Sequence, residues 1–160
     1  MTQAIPDEHK GLIPHLVCDD CAGAIEFYKE AFGATEISRA PAPDGKRIIH
    51  AEIRIDKNPF FLNDDFPEFC GGKESSPKAL GGTPVTIHRY VEDCDAAVDR
   101  AAGAGATVTM PPTDMFWGDR YGMVVDPYGH QWSIATHVKD LTPEEMEAGM
   151  NESFAAGAGE

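Results

Sequence analysis

Apolar and polar positions change period several times along the chain, and each change marks an element. Within the run 48–55 the alternation is strict from Ile49 on, with Ile49, Ala51, Ile53 and Ile55 apolar and His50, Glu52 and Arg54 polar between them. That two-residue period predicts a strand with one face in a core and a polar face opposite. Over 20–33 the period lengthens: Ile25, Tyr28 and Phe32 fall at i, i+3 and i+7, with Asp20 placed to cap the start and Gly33 to end the helix in a left-handed turn. A second helix follows the same plan, with Asp93 as cap, Val98, Ala101 and Ala102 as stripe, and Gly105 as terminator.

The two helices belong to a repeat. Asp20-Cys21-Ala22 recurs as Asp93-Cys94-Asp95, and Gly33-Ala34-Thr35 as Gly105-Ala106-Thr107. Extended runs precede the helices at 12–18 and 85–91, and three follow each, at 35–40, 48–55 and 60–63, then 107–110, 121–125 and 130–137. Pro43-Asp44-Gly45, Lys57-Asn58-Pro59, Pro111-Pro112 and Pro127-Tyr128-Gly129 separate them as turns. The order is βαβββ twice, in modules 11–63 and 84–138 of a single domain 11–138, joined by a connection 64–83. Thr142, Pro143 and Glu145 start a short C-terminal helix that is expected to end near Met150, leaving 151–160 as a mobile tail.

A length of 160 residues with 42% hydrophobic content allows a core without metals or disulfides. The net charge of −14 argues against a nucleic acid partner and against an anionic membrane, because the summed field repels both. No run approaches the roughly 20 apolar residues of a membrane span, and the first ten residues are too polar for a signal peptide, so a cytoplasmic location is expected. Cys18, Cys21, Cys70 and Cys94 are then reduced thiols, although Cys18-x-x-Cys21 is the spacing of a redox pair or of half a zinc site. Cys21 would open a helix, whose dipole lowers a thiol pKa. No G-x-S-x-G, phosphate-binding glycine loop or H-E-x-x-H occurs, which removes the usual hydrolase and nucleotide-dependent classes.

Several segments together resemble the vicinal oxygen chelate superfamily of glyoxalases, bleomycin-resistance proteins and extradiol dioxygenases, in its PhnB-like branch. They are Ile13-Pro14-His15-Leu16-Val17 with Ile25-Glu26-Phe27-Tyr28, then Phe32-Gly33-Ala34, His50-Ala51-Glu52 and Leu80-Gly81-Gly82-Thr83-Pro84. The most specific is Phe116-Trp117-Gly118-Asp119-Arg120-Tyr121-Gly122 continued by Asp126-Pro127-Tyr128-Gly129-His130. The resemblance implies an α+β fold of two tandem βαβββ modules forming a curved mixed sheet with helices on its outer face. It also implies one metal-ligand position on the first and last strand of each module. Counting from the helices and from Asp56 and Asp126 places these at Ile13, Asn63, Thr86 and Ser133. An aliphatic group, an amide and two hydroxyls are weak donors for a first-row metal, so the usual site is expected to be absent and no cofactor is predicted.

Alternation places a ligand-binding cleft on the concave face, with His15, His50, Glu52, Arg54, Asn63, Thr86, His88, Arg120 and Ser133, while Trp117 and Tyr121 lid it or stack on a ligand. Glu52 is the candidate general base, and Arg54 or Arg120 would hold an anionic group; a plain ion pair between Glu52 and an arginine is the structural alternative. Trp132 and Ile134 alternate with Ser133 into the core, and His137 falls near the end of the last strand, outside the cleft. Two functions fit. One is a metal-free module that binds a small molecule. The other is a glyoxalase-like lyase or isomerase, or a dioxygenase, with a divalent ion at a displaced site built from His15, His50, His88 and Glu52. A homodimer is expected for either, since clefts in this superfamily are commonly completed between subunits.

Overall fold

A computed structural model describes residues 2–158. The first module consists of strand β1 (His15–Cys18), helix α1 (Cys21–Phe32) and strands β2 (Thr35–Pro41), β3 (Ile48–Ile55) and β4 (Asn58–Asp64). A short helix α2 (Pro77–Leu80) lies in the connection. The second module repeats the plan as β5 (Thr86–Tyr90), α3 (Cys94–Ala104), β6 (Thr107–Asp114), β7 (Asp119–Val125) and β8 (Gln131–His137), followed by α4 (Pro143–Gly157). Each module holds its own four-stranded mixed sheet, ordered β1-β4-β3-β2 and β5-β8-β7-β6, with the first strand parallel to the last.

The capping residues act as their sequence positions predict. The Asp20 side chain accepts from the Gly23 amide and that of Asp93 from the Ala96 amide, each at 3.0 Å, while Gly33 ends α1 with φ 68°. One face of each sheet packs on the helices in a single core that spans both modules. Trp132 of β8 is its centre, with ring centroids 4.5 Å from Phe32, 5.6 Å from Tyr28 and 5.7 Å from Phe60. Burying three aromatic rings against an indole removes several hundred Å² of apolar surface from water, on the order of 150–250 Å² per ring.

The same contact is tied by a buried carboxylate. Asp126, at the turn before β8, accepts from Tyr28 Oη at 2.5 Å, Trp132 Nε1 at 2.9 Å and the amides of Tyr128 and His130 at 2.9 and 3.0 Å. His130 Nε2 lies 2.9 Å from the Val17 carbonyl, a second polar tie between modules. Arg89 of β5 pairs with Asp56 and donates to the Phe32 carbonyl, and Arg100 of α3 donates to the Glu30 carbonyl.

Three sequence expectations change, and the connection gains detail. Ile49 is half exposed, because Ala40 pairs with His50 and Pro41 with Ile48, which makes Ile49 the extra residue of a β-bulge and gives Ile48 the core position. Pro111-Pro112 is no break: β6 runs through it with shifted register, as an edge strand can. The connection holds a 3-10 turn at Pro67–Phe69 as well as α2. Helix α4 continues to Gly157, so the expected mobile tail is helical through its described part; residues 159–160 lie outside the described residues. The Thr142–Glu145 capping box that opens α4 is present as expected.

Replacing Tyr28 by Phe removes one donor from the buried Asp126 carboxylate without changing the ring. The expected cost is about 1–3 kcal/mol in urea unfolding at neutral pH. A change within a few tenths of a kcal/mol of zero would show that the tie is dispensable.

Candidate functional site

The face of each sheet turned away from the shared core carries most of the predicted polar residues. On the first sheet, His15 is opposite Phe61 and Phe61 opposite Glu52, so one row runs across β1, β4 and β3. The Phe61 ring is surrounded edge-on by three imidazoles, with centroids 4.8 Å from His50, 5.9 Å from His15 and 5.5 Å from His9. Glu52 is buried and both of its oxygens are engaged: Arg54 Nε donates to Oε1 at 2.9 Å, and His9 Nε2 lies 3.0 Å from Oε2. Arg54 also reaches Glu8 at 3.3 Å. Asn63 lies on the same face, but its amide nitrogen donates to the Asp64 carbonyl at 2.7 Å.

On the second sheet, His88 of β5 faces Ser133 of β8, with Nδ1 2.7 Å from the buried Oγ. When Ser133 donates its hydroxyl proton to Nδ1, Nε2 carries the ring proton. The imidazole lies flat to Tyr121, at 6.1 Å and 18°, and edge-on to Tyr90 at 4.8 Å. Trp117 meets Tyr121 edge-on at 5.6 Å. Beside these rings on the same face sits the buried carboxylate of Asp119, which accepts from Tyr90 Oη at 2.8 Å and Trp117 Nε1 at 3.2 Å and lies 2.8 Å from His137 Nδ1. Burial works to raise the Asp119 pKa, but the hydrogen bonds from His137 and Tyr90, the nearby imidazole charge and the indole N–H outweigh it and hold the carboxyl below its ordinary value. His137, bonded by Nε2 to Asp140 at 2.9 Å and by Nδ1 to Asp119, is shifted above the ordinary imidazole value by those two carboxylates. Thr86 is exposed at the start of β5, opposite Gln131.

Arg120 does not join this set. It alternates with Asp119 and Tyr121 onto the helix side of β7, where its guanidinium pairs with Asp95 of α3, Nη2 to Oδ1 at 2.9 Å, and with Asp114 at 3.1 Å. Conversely, His137 is opposite Asp119 on the outward face and is part of the second group. His9, Asp119 and His137 are the functional candidates that sequence reasoning missed. For Asp119 the signal was present, since it lies two residues before Tyr121 on one strand. His9 precedes all periodic structure and gave none.

The repeat count also shifts. β3 and β4 are joined by the two-residue turn Asp56-Lys57, both at positive φ, as a type I′ hairpin requires, whereas β7 and β8 are joined through 126–130. Equal distances from Asp56 and Asp126 therefore reach different rows. The ladders pair His15 with Phe61 and His88 with Ser133, which makes Phe61, and not Asn63, the counterpart of Ser133.

At the four positions the resemblance marks for a metal stand Ile13, Thr86, Ser133 and, by the ladder pairing, Phe61 in place of Asn63, none of them an imidazole or a carboxylate. Among the described residues no three His, Cys, Asp or Glu side chains converge as ligands would. The two thiols of Cys18-x-x-Cys21 are fully buried and free. Cys21 does open α1, yet burial, with the nearby Asp64 carboxylate, pushes its pKa up to about 12, and burial drives Cys18 higher still, so neither is a ready thiolate. Between the modules a groove of about 300 Å³ runs from Leu12 and Pro14 past Phe60 to His88 and Arg89.

With this geometry in place, comparison with known proteins defines the class. Residues 12–134 match the model of the Glyoxalase/Bleomycin resistance protein/Dioxygenase superfamily, and the chain belongs to that family. The uncharacterized protein Mb0911c of Mycobacterium bovis is 54% identical over 140 residues, covering 88% of this chain and 91% of that protein. Among solved structures, TioX from Micromonospora sp. ML1 is 27% identical with a TM-score of 0.60, over 80% of this chain and all of TioX. The Arabidopsis thaliana gene product At5g48480 is 26% identical with a TM-score of 0.63, over 79% and 98% of the two chains. The PhnB protein from Bacillus cereus, at 16% identity and a TM-score of 0.59 over 79% and 99%, shares the fold. Among the described residues no helix is long and apolar enough to cross a membrane.

The His137 shift sets a pH dependence. A folded-state pKa above the ordinary 6.5 means that folding favours the protonated ring, so its contribution is complete below pH 6.5 and is lost as pH rises through the folded value. Asp119, held below its ordinary value, contributes above 3.8 and loses that contribution as pH falls through its folded value. Melting curves of wild type and His137→Gln should therefore converge as pH climbs past 6.5. A gap that stays constant or widens between about pH 5.5 and 8.5 would contradict the assignment, as would a His137 NMR titration midpoint at or below 6.5.

Proposed function

We propose that this protein is a small-molecule-binding member of the superfamily, in its PhnB-like branch, that captures its ligand on the outward sheet faces without a metal at the usual positions. One observation carries the reading: Trp117, Tyr121, Tyr90 and His88 form a joined aromatic surface in which Trp117 and Tyr90 are hydrogen-bonded to buried Asp119 and His88 to buried Ser133. Rings held by buried hydrogen bonds lose little entropy when a flat ligand stacks on them, which favours binding. The first sheet contributes His15, His50, Glu52 and Arg54 around Phe61. Binding is favoured over catalysis because the candidate base is already paired. Glu52 faces Arg54 and His9, and this chain alone assembles no metal-donor triad among its described residues.

Both faces belong to sheets whose other side is in the shared core, so each is half of a cleft in one chain. A second copy of the chain is the proposed completion, with exposed Leu12 ahead of β1, Val85 ahead of β5 and Tyr90 at the end of β5 as its contact. The ligand is a metabolite-sized compound with a flat unsaturated part, and the location is cytoplasmic.

A thermal-shift screen of aromatic acids, amides and heterocycles at millimolar concentration tests this. At least one compound should raise the melting temperature, and His88→Ala or Tyr121→Ala should lower its affinity about tenfold or more, while Arg120→Ala leaves it within about twofold. Stabilisation that survives both cleft substitutions would overturn the reading. So would near-stoichiometric zinc, nickel, manganese or iron in untagged dialysed protein, lost on His15→Ala or His88→Ala, which would move the protein to the metal-dependent enzymes.

A further inference from the structure

The residues before β1 fold back over the first sheet. Their 3-10 turn at Asp7–His9 sets the His9 ring edge-on to Phe61, 5.5 Å away at 76°, with Nε2 3.0 Å from Glu52 Oε2. Beside it, Arg54 bridges Glu8 of the turn and Glu52 of the sheet. The turn has no buried residue and no side-chain cap, so the His9 ring and the exposed Glu8–Arg54 pair are its main holds on the sheet, and exposed pairs hold weakly. It is followed by Gly11, at φ 92° with open space around its α-carbon. A glycine at positive φ with nothing packed on it is a natural pivot.

Glu52 does not need His9 in order to be buried, because Arg54 already neutralises it at 2.7 Å. What His9 adds is a flat ring carrying an N–H, seated edge-on against Phe61, the ring that His15 and His50 also meet, with a carboxylate oxygen to accept its hydrogen bond. Resting on the reading of these faces as ligand clefts, we propose that His9 is a displaceable internal ligand. The subsite it fills takes the N–H heterocyclic part of the incoming molecule, imidazole-like in size, which donates to Glu52 Oε2 and packs on Phe61. The strap then swings away on Gly11. A tethered ring competes at an effective concentration on the order of millimolar, so it screens out weak ligands and yields to strong ones.

Imidazole is the probe, titrated into the full chain and followed by NMR, with folding of every variant checked by its melting curve. In His9→Ala, imidazole should bind saturably and about tenfold or more tighter than in wild type. Adding Glu52→Gln to that chain should erase the gain, and Phe61→Leu in the same background is the second route to the same loss. N-methylpyrrole, a flat ring with no N–H, should show no gain. The proposal is overturned if His9→Ala binds imidazole no better than wild type, if the gain survives both Glu52→Gln and Phe61→Leu, or if N-methylpyrrole gains equally. These outcomes are separate from those of the His88 and Tyr121 variants, whose failure would remove the cleft reading itself.

Discussion

One carboxylate holds the two halves of this protein in register. Asp126 lies at the tight turn before β8, takes two backbone amides from its own loop, and uses its remaining capacity on Tyr28 of the first module and Trp132 of the second. A buried carboxylate is costly unless its lone pairs are filled, and here four donors fill them. The Tyr28 hydroxyl reaches Asp126 only when α1 lies against β8, so satisfying the charge also sets the packing of Trp132 on Phe32 and Phe60. With the inner faces committed in this way, the opposite faces of both sheets are left to meet the solvent or a ligand.

Those outward faces follow a shared plan and different chemistries. On each, a histidine of the first strand faces a residue of the last strand, His15 with Phe61 and His88 with Ser133, and a buried carboxylate lies within the group, Glu52 in one and Asp119 in the other. Glu52 is countered by a guanidinium, whereas Asp119 is surrounded by a phenol, an indole and an imidazole. The first face therefore offers charge around one ring, and the second a wider aromatic surface. A molecule spanning both would be recognised at a polar end and along a flat body.

Much of this was legible in the residue pattern, and the misses have physical causes. Helix caps at Asp20 and Asp93 and the core roles of Trp132 and Ile134 depend on local rules and were read directly. Alternation failed where the backbone broke its own period, at the bulge that exchanges Ile48 for Ile49. It also failed at Arg120 because a long cation says little about which face it occupies, and its partner Asp95 lies 25 residues away on another element. Comparing the repeats by counting went wrong by one row because the turns have different lengths, a property of Asp56 and Lys57 at positive φ that composition alone does not reveal. His9 was invisible because its neighbours in the fold, Phe61 and Glu52, are 43 or more residues distant.

The proposed account depends on the outward faces being completed by a second copy of the chain. Leu12 is 99% and Tyr90 60% exposed, apolar groups that a second copy would cover. Sedimentation velocity of untagged protein at about 1–50 μM, at 0.15 M salt to screen the mutual repulsion of two acidic chains, measures this directly. The account expects one main species of twice 17.3 kDa across that range. A species that stays at 17.3 kDa at the highest concentration would contradict it.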